Sequence, residues 1–389
     1  MELKIKNRIN TNSIKWDEAR RDYKEPDLLP LWIADMEFES DPSILKALHS
    51  VVDEGVLGYC NATSELYQAV QNWQLKHFDN ELKSEDILFT AGVMPSVSLS
   101  IEAFTNPGDA VITQTPLYGP FARSIKLLGR KLITNELKIK DGQYALNFED
   151  FEQKIIANDV KLFCLCNPHN PGGRVWLTEE LSELGEICQR NNVIVVSDEI
   201  HEDLNFEPYQ HTTFMNAGEG FDDFSIVLTS PTKTFNLAGV KNSVVFIKNP
   251  QLREKFVNKR LALNEHEPNT FGLVATRIAY ERGQEWLNAL HKQLKKNRQL
   301  LEDELIGQVI GGHKIDWFKP QGTYLVWLDF RDFGLSDDDL ENSFIHKGKV
   351  LLNRGDSFGK DGSGFFRLNI ATSSKQVQEG IRRIKLSLE

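Results

Sequence analysis

Lys233 lies in the run Ser230-Pro231-Thr232-Lys233-Thr234-Phe235, among small and apolar residues rather than other charges. Desolvation and nearby positive charge lower a lysine's pKa and make its amine a nucleophile toward aldehydes. Ser230, three residues earlier, is within reach of a phosphate beside that amine. Asp198 closes an apolar run in Val196-Ser197-Asp198-Glu199-Ile200-His201. A carboxylate there must be paired or hydrogen-bonded, either against a protonated ring nitrogen or as the cap of a following helix. Asn170 is presented by Asn167-Pro168-His169-Asn170-Pro171-Gly172-Gly173-Arg174, a loop stiffened by two Asn-Pro pairs and a Gly pair. Its amide can donate to a phenolate-like oxygen, or the loop is a braced turn and no more. In Ala91-Gly92-Val93 a glycine at a strand-to-helix passage lets backbone N–H groups approach an anion; the plainer alternative is a tight turn without a ligand.

What positions these residues is a series of short apolar runs alternating with longer amphipathic stretches, the pattern of an α/β sheet. Strands are expected at residues 87–90, 110–113, 131–135, 162–166, 193–197, 226–229 and 244–247. From Thr178 to Asn191 the apolar stripe Leu181, Leu184, Ile187, Cys188 predicts a helix, with Thr178 as N-cap and Glu179 and Glu180 in its first turn. A helix over 283–306 leads to a smaller unit with strands near 323–329, 350–353 and 365–370 and a terminal helix. Residues 1–40 read as an extended arm packed on that unit or on a partner subunit, 41–285 as the large domain and 286–389 as the small one. In an open α/β sheet, ligands bind beyond the carboxyl ends of the strands. Gly92 and Val93, Asn170, Asp198 and Lys233 all follow such ends. Anion site, phenol partner, ring-nitrogen partner and Schiff-base amine are together what a phosphorylated pyridine aldehyde requires, so the cofactor read from the residues is pyridoxal 5′-phosphate.

The bulk properties narrow the rest. The 389 residues suit one large domain plus a smaller one, and the formal net charge of −11 argues against a nucleic-acid partner. The basic stretch from Lys292 to Arg298 reads as the wet face of a helix. No apolar run reaches the roughly 20 residues that cross a bilayer, and Met1 to Lys6 lacks the apolar core of a signal peptide, so a cytoplasmic address is expected. Cys60, Cys164, Cys166 and Cys188 are too few for a disulfide framework. Cys164 and Cys166 share one face of a strand, a spacing unlike a zinc knuckle, and read as buried structural thiols.

The order and context of these motifs resemble the fold-type I pyridoxal-phosphate enzymes, the aspartate aminotransferase superfamily. More narrowly, the chain is similar to the cystathionine β-lyase branch of the class I/II aminotransferases, the MalY/PatB-like C–S lyases. The likeness includes Pro30-Leu31-Trp32-Ile33-Ala34-Asp35-Met36-Glu37-Phe38, Thr115-Pro116-Leu117-Tyr118-Gly119-Pro120-Phe121, Ser197-Asp198-Glu199-Ile200-His201, Pro320-Gln321-Gly322-Thr323-Tyr324 and Gly364-Phe365-Phe366-Arg367-Leu368-Asn369, nearly end to end. It implies an α/β fold with a mostly parallel seven-stranded sheet and a smaller α+β domain. It implies that Lys233 forms the Schiff base and shuttles the Cα proton, Asp198 keeps the pyridine nitrogen protonated, Asn170 bonds the phenolic oxygen and Tyr118 stacks on the ring. Gly92, Val93 and Ser230 would hold the phosphate, helped by Tyr59 from a second subunit of a homodimer, and Arg367 would grip the substrate α-carboxylate.

Two positions depart from the wider superfamily: His201 where many relatives have a tyrosine near the phenolic oxygen, and Lys241 where many have a phosphate-binding arginine. A lysine is a point charge rather than a fork. The expected reaction is β-elimination from L-cystathionine or a cysteine S-conjugate to a thiol, pyruvate and ammonia. The alternatives are transamination of a small amino acid and a cofactor-binding sensor without turnover. Such sensors carry an N-terminal DNA-binding domain, whereas here the enzyme-like pattern starts by Trp32.

Overall fold

The computed structural model describes residues 1–265 and 269–389. At its centre, seven strands form one sheet: β1 (Ile87–Thr90), β2 (Ala110–Thr115), β3 (Lys131–Glu136), β4 (Val160–Cys166), β5 (Ile194–Asp198), β6 (Ser225–Thr229) and β7 (Ser243–Phe246). Their spatial order is β1-β7-β6-β5-β4-β2-β3. Neighbours run parallel except at β7, which is antiparallel to both β1 and β6. Every residue of β2, β6 and β7 is buried, which is why these strands read as continuous apolar runs rather than alternating ones. Only β3 lies at a wet edge, with Lys131 and Glu136 exposed at its ends.

The two faces are covered separately. Val111, Leu162, Cys164, Val196, Ile226 and Val245 pack beneath Val93, Val97 and Ile101 of helix α2 (Val93–Phe104), which follows α1 (Ser64–Phe78) and β1. Ile112, Phe163, Leu165 and Val195 point the other way, against Leu181, Leu184 and Ile187 of α3 (Thr178–Arg190). That stripe is the one the sequence predicts, but its cap differs. Thr178 is the first helical residue, and the Leu177 N–H at the cap is accepted by Glu180 Oε2 at 2.8 Å. Glu180 also takes the Arg174 guanidinium, so it serves two donors at once, while the Thr178 hydroxyl meets that of Thr212.

After α4 (Gln284–Glu304) the chain builds a second, antiparallel sheet from β8 (Asp316–Phe318), β9 (Leu325–Asp329), β10 (Asn353–Arg354) and β11 (Phe365–Asn369), ordered β8-β9-β11-β10, and ends in α5 (Ser374–Leu388). The strand expected at 350–353 divides: Val350–Leu351 pairs in parallel with Leu29–Pro30, and only Asn353 and Arg354 join the sheet.

Residues 29–35 bond to Val350–Leu351 and to Asn369, and the N-terminal stretch is not extended throughout. Residues 14–22 are helical, and the Ser13 hydroxyl caps them by accepting the Trp16 N–H. Beyond them Leu31 and Asn369 bond through their backbones, and the Asn369 amide donates to Ile33 and Asp35 carbonyls. A buried ion pair, Lys15 to Glu37 at 2.6 Å, joins the helical part to the strap, with the Trp16 indole donating to the same carboxylate. Among the described residues no helix is long and apolar enough to cross a membrane.

Candidate active site

A cavity of about 510 Å³ opens at the carboxyl ends of the central strands, with Gly92, Val93, Tyr118, Asn170, Asp198, His201, Lys233 and Lys241 on its wall. Eight of the residues singled out from sequence are thus brought together.

The chain leaves β6 at Thr229, and Ser230 caps the short helical turn Pro231–Thr234. The Ser230 hydroxyl accepts the Thr232 N–H at 3.2 Å and donates to the Asn242 carbonyl at 2.6 Å, so it serves the turn; Thr232, not Ser230, lines the cavity. Lys233 projects from this turn, and its Nζ donates to the Ala34 carbonyl at 2.7 Å. Burial lowers its pKa to about 8, with Arg367 adding to the effect and the carboxylates of Asp35 and Asp198 opposing it.

Asp198 ends β5 opposite Cys166 of β4. Its carboxylate accepts the Ile200 N–H at 3.2 Å, and no helix follows it, so the capping alternative falls away. Burial pushes its carboxyl up to about 7. Such a group favours a cationic partner, because a positive charge opposite it would offset the cost of ionising it there. His201, three residues on, is held neutral: burial brings it to about 3, helped by the positive charges of Lys233 and Arg367. Its Nδ1 is buried without a partner, and its ring meets Tyr324 edge to face at 6.0 Å.

Arg367, on β11, reaches across from the small sheet. It donates to Asn170 Oδ1 at 2.8 Å, Asn353 Oδ1 at 2.9 Å and the Trp32 carbonyl at 3.2 Å, over the Phe358 ring. Its Nε is buried and unpartnered. Burial lowers its pKa to about 10, which leaves it charged at neutral pH. Because the Asn170 carbonyl oxygen is taken, what Asn170 offers the cavity is its amide N–H. Tyr118 follows β2 and covers another wall, its phenol pushed up by burial. Gly92 has φ +146°, a backbone that side-chain-bearing residues rarely adopt, and it opens α2 toward the cavity.

Tyr59 stands apart. It is 93% exposed on a segment that also presents Val56 and Leu57, and it does not reach this cavity within the one chain. Cys164 is buried in the core, but Cys166 lies on the cavity wall, so only Cys164 is the structural thiol expected of both. Burial and Asp198 both raise the Cys166 thiol, which stays protonated. Sequence reasoning missed Ala34, Thr232 and Asn242. Thr232 had a signal, a hydroxyl one residue before Lys233; Ala34 had none, since it acts through its carbonyl.

This set fits pyridoxal 5′-phosphate. Backbone N–H groups at Gly92 and Val93, a threonine hydroxyl, a buried acid, an amide donor and an amine of lowered pKa line one cavity. The buried, unpartnered nitrogens of His201 and Arg367 are the orphan groups that a polar ligand would satisfy.

The model of the family "Aminotransferase class I and II" matches residues 27–384. Cystathionine beta-lyase PatB of Bacillus subtilis (strain 168) is 40% identical over 385 residues, covering 99% of each chain. Among solved structures, cystalysin from Treponema denticola, which contains a pyridoxal 5′-phosphate cofactor, superposes with a TM-score of 0.95 at 36% identity, covering 100% of this chain and 98% of its own. The PLP-bound C–S lyase from Staphylococcus hominis superposes with a TM-score of 0.90 at 30% identity, covering 99% and 97%.

Proposed function

Since the chain belongs to the class I and II aminotransferase family, we propose that this pyridoxal-phosphate enzyme is a C–S β-lyase that cleaves L-cystathionine or a related cysteine S-conjugate to a thiol, pyruvate and ammonia. The observation that carries the reading is the convergence of Lys233, Asp198, Asn170 and, through Asn170, Arg367 on one cavity. When bound, the cofactor condenses with amines and withdraws electrons from the substrate's Cα. Gly92, Val93 and Thr232 would hold its phosphate, Asp198 would pair with its ring nitrogen, Asn170 and His201 would serve its phenolic oxygen, and Tyr118 would cover its ring.

Arg367 takes the substrate α-carboxylate, for which its buried, unpartnered Nε is available. The Lys233 amine, poised near pH 8, removes the Cα proton and holds it on Nζ. Sulfur departs from Cβ with the C–S electron pair and needs a proton. Neutral His201, at about 3, is too weakly basic to carry one, and we assign the role to the protonated Lys233 Nζ. Tyr59 completes the site from a second copy of the chain, which makes the working unit a homodimer with shared active sites in the cytoplasm. The functional division is an arm over 1–40, a large domain over 41–285 and a small domain over 286–389.

The test is the purified protein loaded with pyridoxal phosphate and given L-cystathionine. Pyruvate and thiol in equal amounts, lost in Lys233→Ala, are expected. Keto-acid-dependent amino transfer without pyruvate would replace the reading with transamination, and no visible absorbance after loading would overturn the cofactor assignment.

A further inference from the structure

Directly after Asp198 the chain turns back through Glu202 and Asp203, two consecutive carboxylates buried away from the cavity. Each accepts one hydrogen bond from helix α1 and one from a threonine beside the lysine turn. Glu202 Oε1 takes Gln74 Nε2 at 3.0 Å and Thr229 Oγ1 at 2.6 Å. Asp203 takes Trp73 Nε1 at 3.0 Å on one oxygen and Thr234 Oγ1 at 2.7 Å on the other. Thr229 is the last residue of β6 and Thr234 the residue after Lys233, so the two acids grip the turn at both its ends.

Burying two adjacent carboxylates is costly. Burial and the neighbouring Asp203 charge push Glu202 well above the usual carboxylate range. A purely stabilising role would be served as well by apolar residues of similar volume. What apolar residues cannot supply is direction: carboxyl oxygens that accept from two hydroxyls and fix them, and with them the segment carrying Lys233. The nearby trio Glu199, Glu202 and His211 brings ligand-type atoms within 4.8 Å of one another, but Glu199 and His211 there are already hydrogen-bonded at 2.8 Å.

We propose that Glu202 and Asp203 are positioning residues for Lys233: through Thr229 and Thr234 they hold the lysine turn in register with Asp198, which lies on the same segment of chain. The proposal rests on Lys233 being the cofactor lysine. It assigns no contact with substrate or cofactor to either acid, only the setting of the amine that makes such contact. A misplacement of about 1 Å can cost up to a hundredfold in rate.

Thr234→Val removes the hydroxyl at constant volume and leaves all charges in place. The expected result is a kcat lowered about tenfold with KM unchanged within about twofold, together with uptake of pyridoxal phosphate by the cofactor-free protein, followed by its visible absorbance, slowed to a similar degree. Thr234→Ser, which keeps the hydroxyl, should restore both, and Asp203→Asn combined with Thr234→Val should cost little more than Thr234→Val alone. A Thr234→Val protein that melts earlier but keeps wild-type kcat and uptake overturns the proposal, because the contact is then merely structural. Lys233→Ala in parallel separates the two claims: if it retains turnover, the assignment of Lys233 has failed, whatever Thr234 does.

Discussion

Replacing Asp198 by Asn should abolish a pH dependence of stability that the cofactor-free protein must otherwise show. Burial lifts the folded-state carboxyl to about 7 from an ordinary 3.8, so the folded chain keeps a proton that the unfolded chain has released. Between those two values the unfolded state binds fewer protons, and stability therefore falls as pH rises. One unit of pKa is worth about 1.4 kcal/mol, and integrating both titrations from pH 5 to pH 7 gives a loss of about 2 kcal/mol from this group alone. His201, with a folded value of about 3, works in the opposite direction over part of that range. It is present in both proteins and cancels in the difference. Urea unfolding of wild type and Asp198→Asn at pH 5, 6 and 7 reads the quantity directly, provided both keep the same denaturant slope. The stability of wild type relative to the variant should drop by about 2 kcal/mol across the series. If the two curves run parallel with pH, Asp198 is ionised in the folded protein, and its readiness for a cationic ring partner has been misjudged.

Arg367→Gln should lower kcat/KM for an amino-acid substrate about a hundredfold, the value of a charge-assisted hydrogen bond. The same substrate as its α-amide should be turned over equally poorly by both proteins, and steady-state kinetics with the two compounds checks it. Lys15→Met leaves Glu37 charged and uncompensated in a fully buried site, and should cost about 3–5 kcal/mol in urea unfolding. Lys15→Met with Glu37→Leu should recover most of that loss; a single variant as stable as wild type would mean that the pair is solvated.

Much of this molecule was legible in its sequence, for reasons that differ from place to place. All seven central strands lie within a residue or two of their expected bounds, because a sheet covered on both faces demands apolar runs that little else explains. Asn170, Asp198 and Lys233 were legible because a polar residue closing such a run has few reasons to be there. Asp316–Phe318 was not, since three residues leave no room for a period. The helical stretch within the arm was hidden because its nine residues carry two arginines, a lysine and three acids, and what decides its fold is the distant Glu37 rather than local propensity. Thr178 looked like a cap until Glu180 proved able to serve the Leu177 N–H and Arg174 together. Ser230 and Thr232 stand two apart on the same turn, and only the fold decides which hydroxyl meets the cavity.

The strap that supplies the Ala34 carbonyl is made long before it is secured. Its anchors are Asn236, 200 residues further along, and Asn369, 336 residues from Ile33. A ribosome delivering about 5–20 residues per second completes the central sheet well before Asn369 emerges. For that interval Lys233 has its turn but not the carbonyl that holds its amine, and an arm closed over so long a loop must wait for its partner strand. A nascent chain is therefore unable to finish the lysine's surroundings, and the maturing enzyme becomes competent only once the Ile33–Met36 strap and the strand at Asn369 have met.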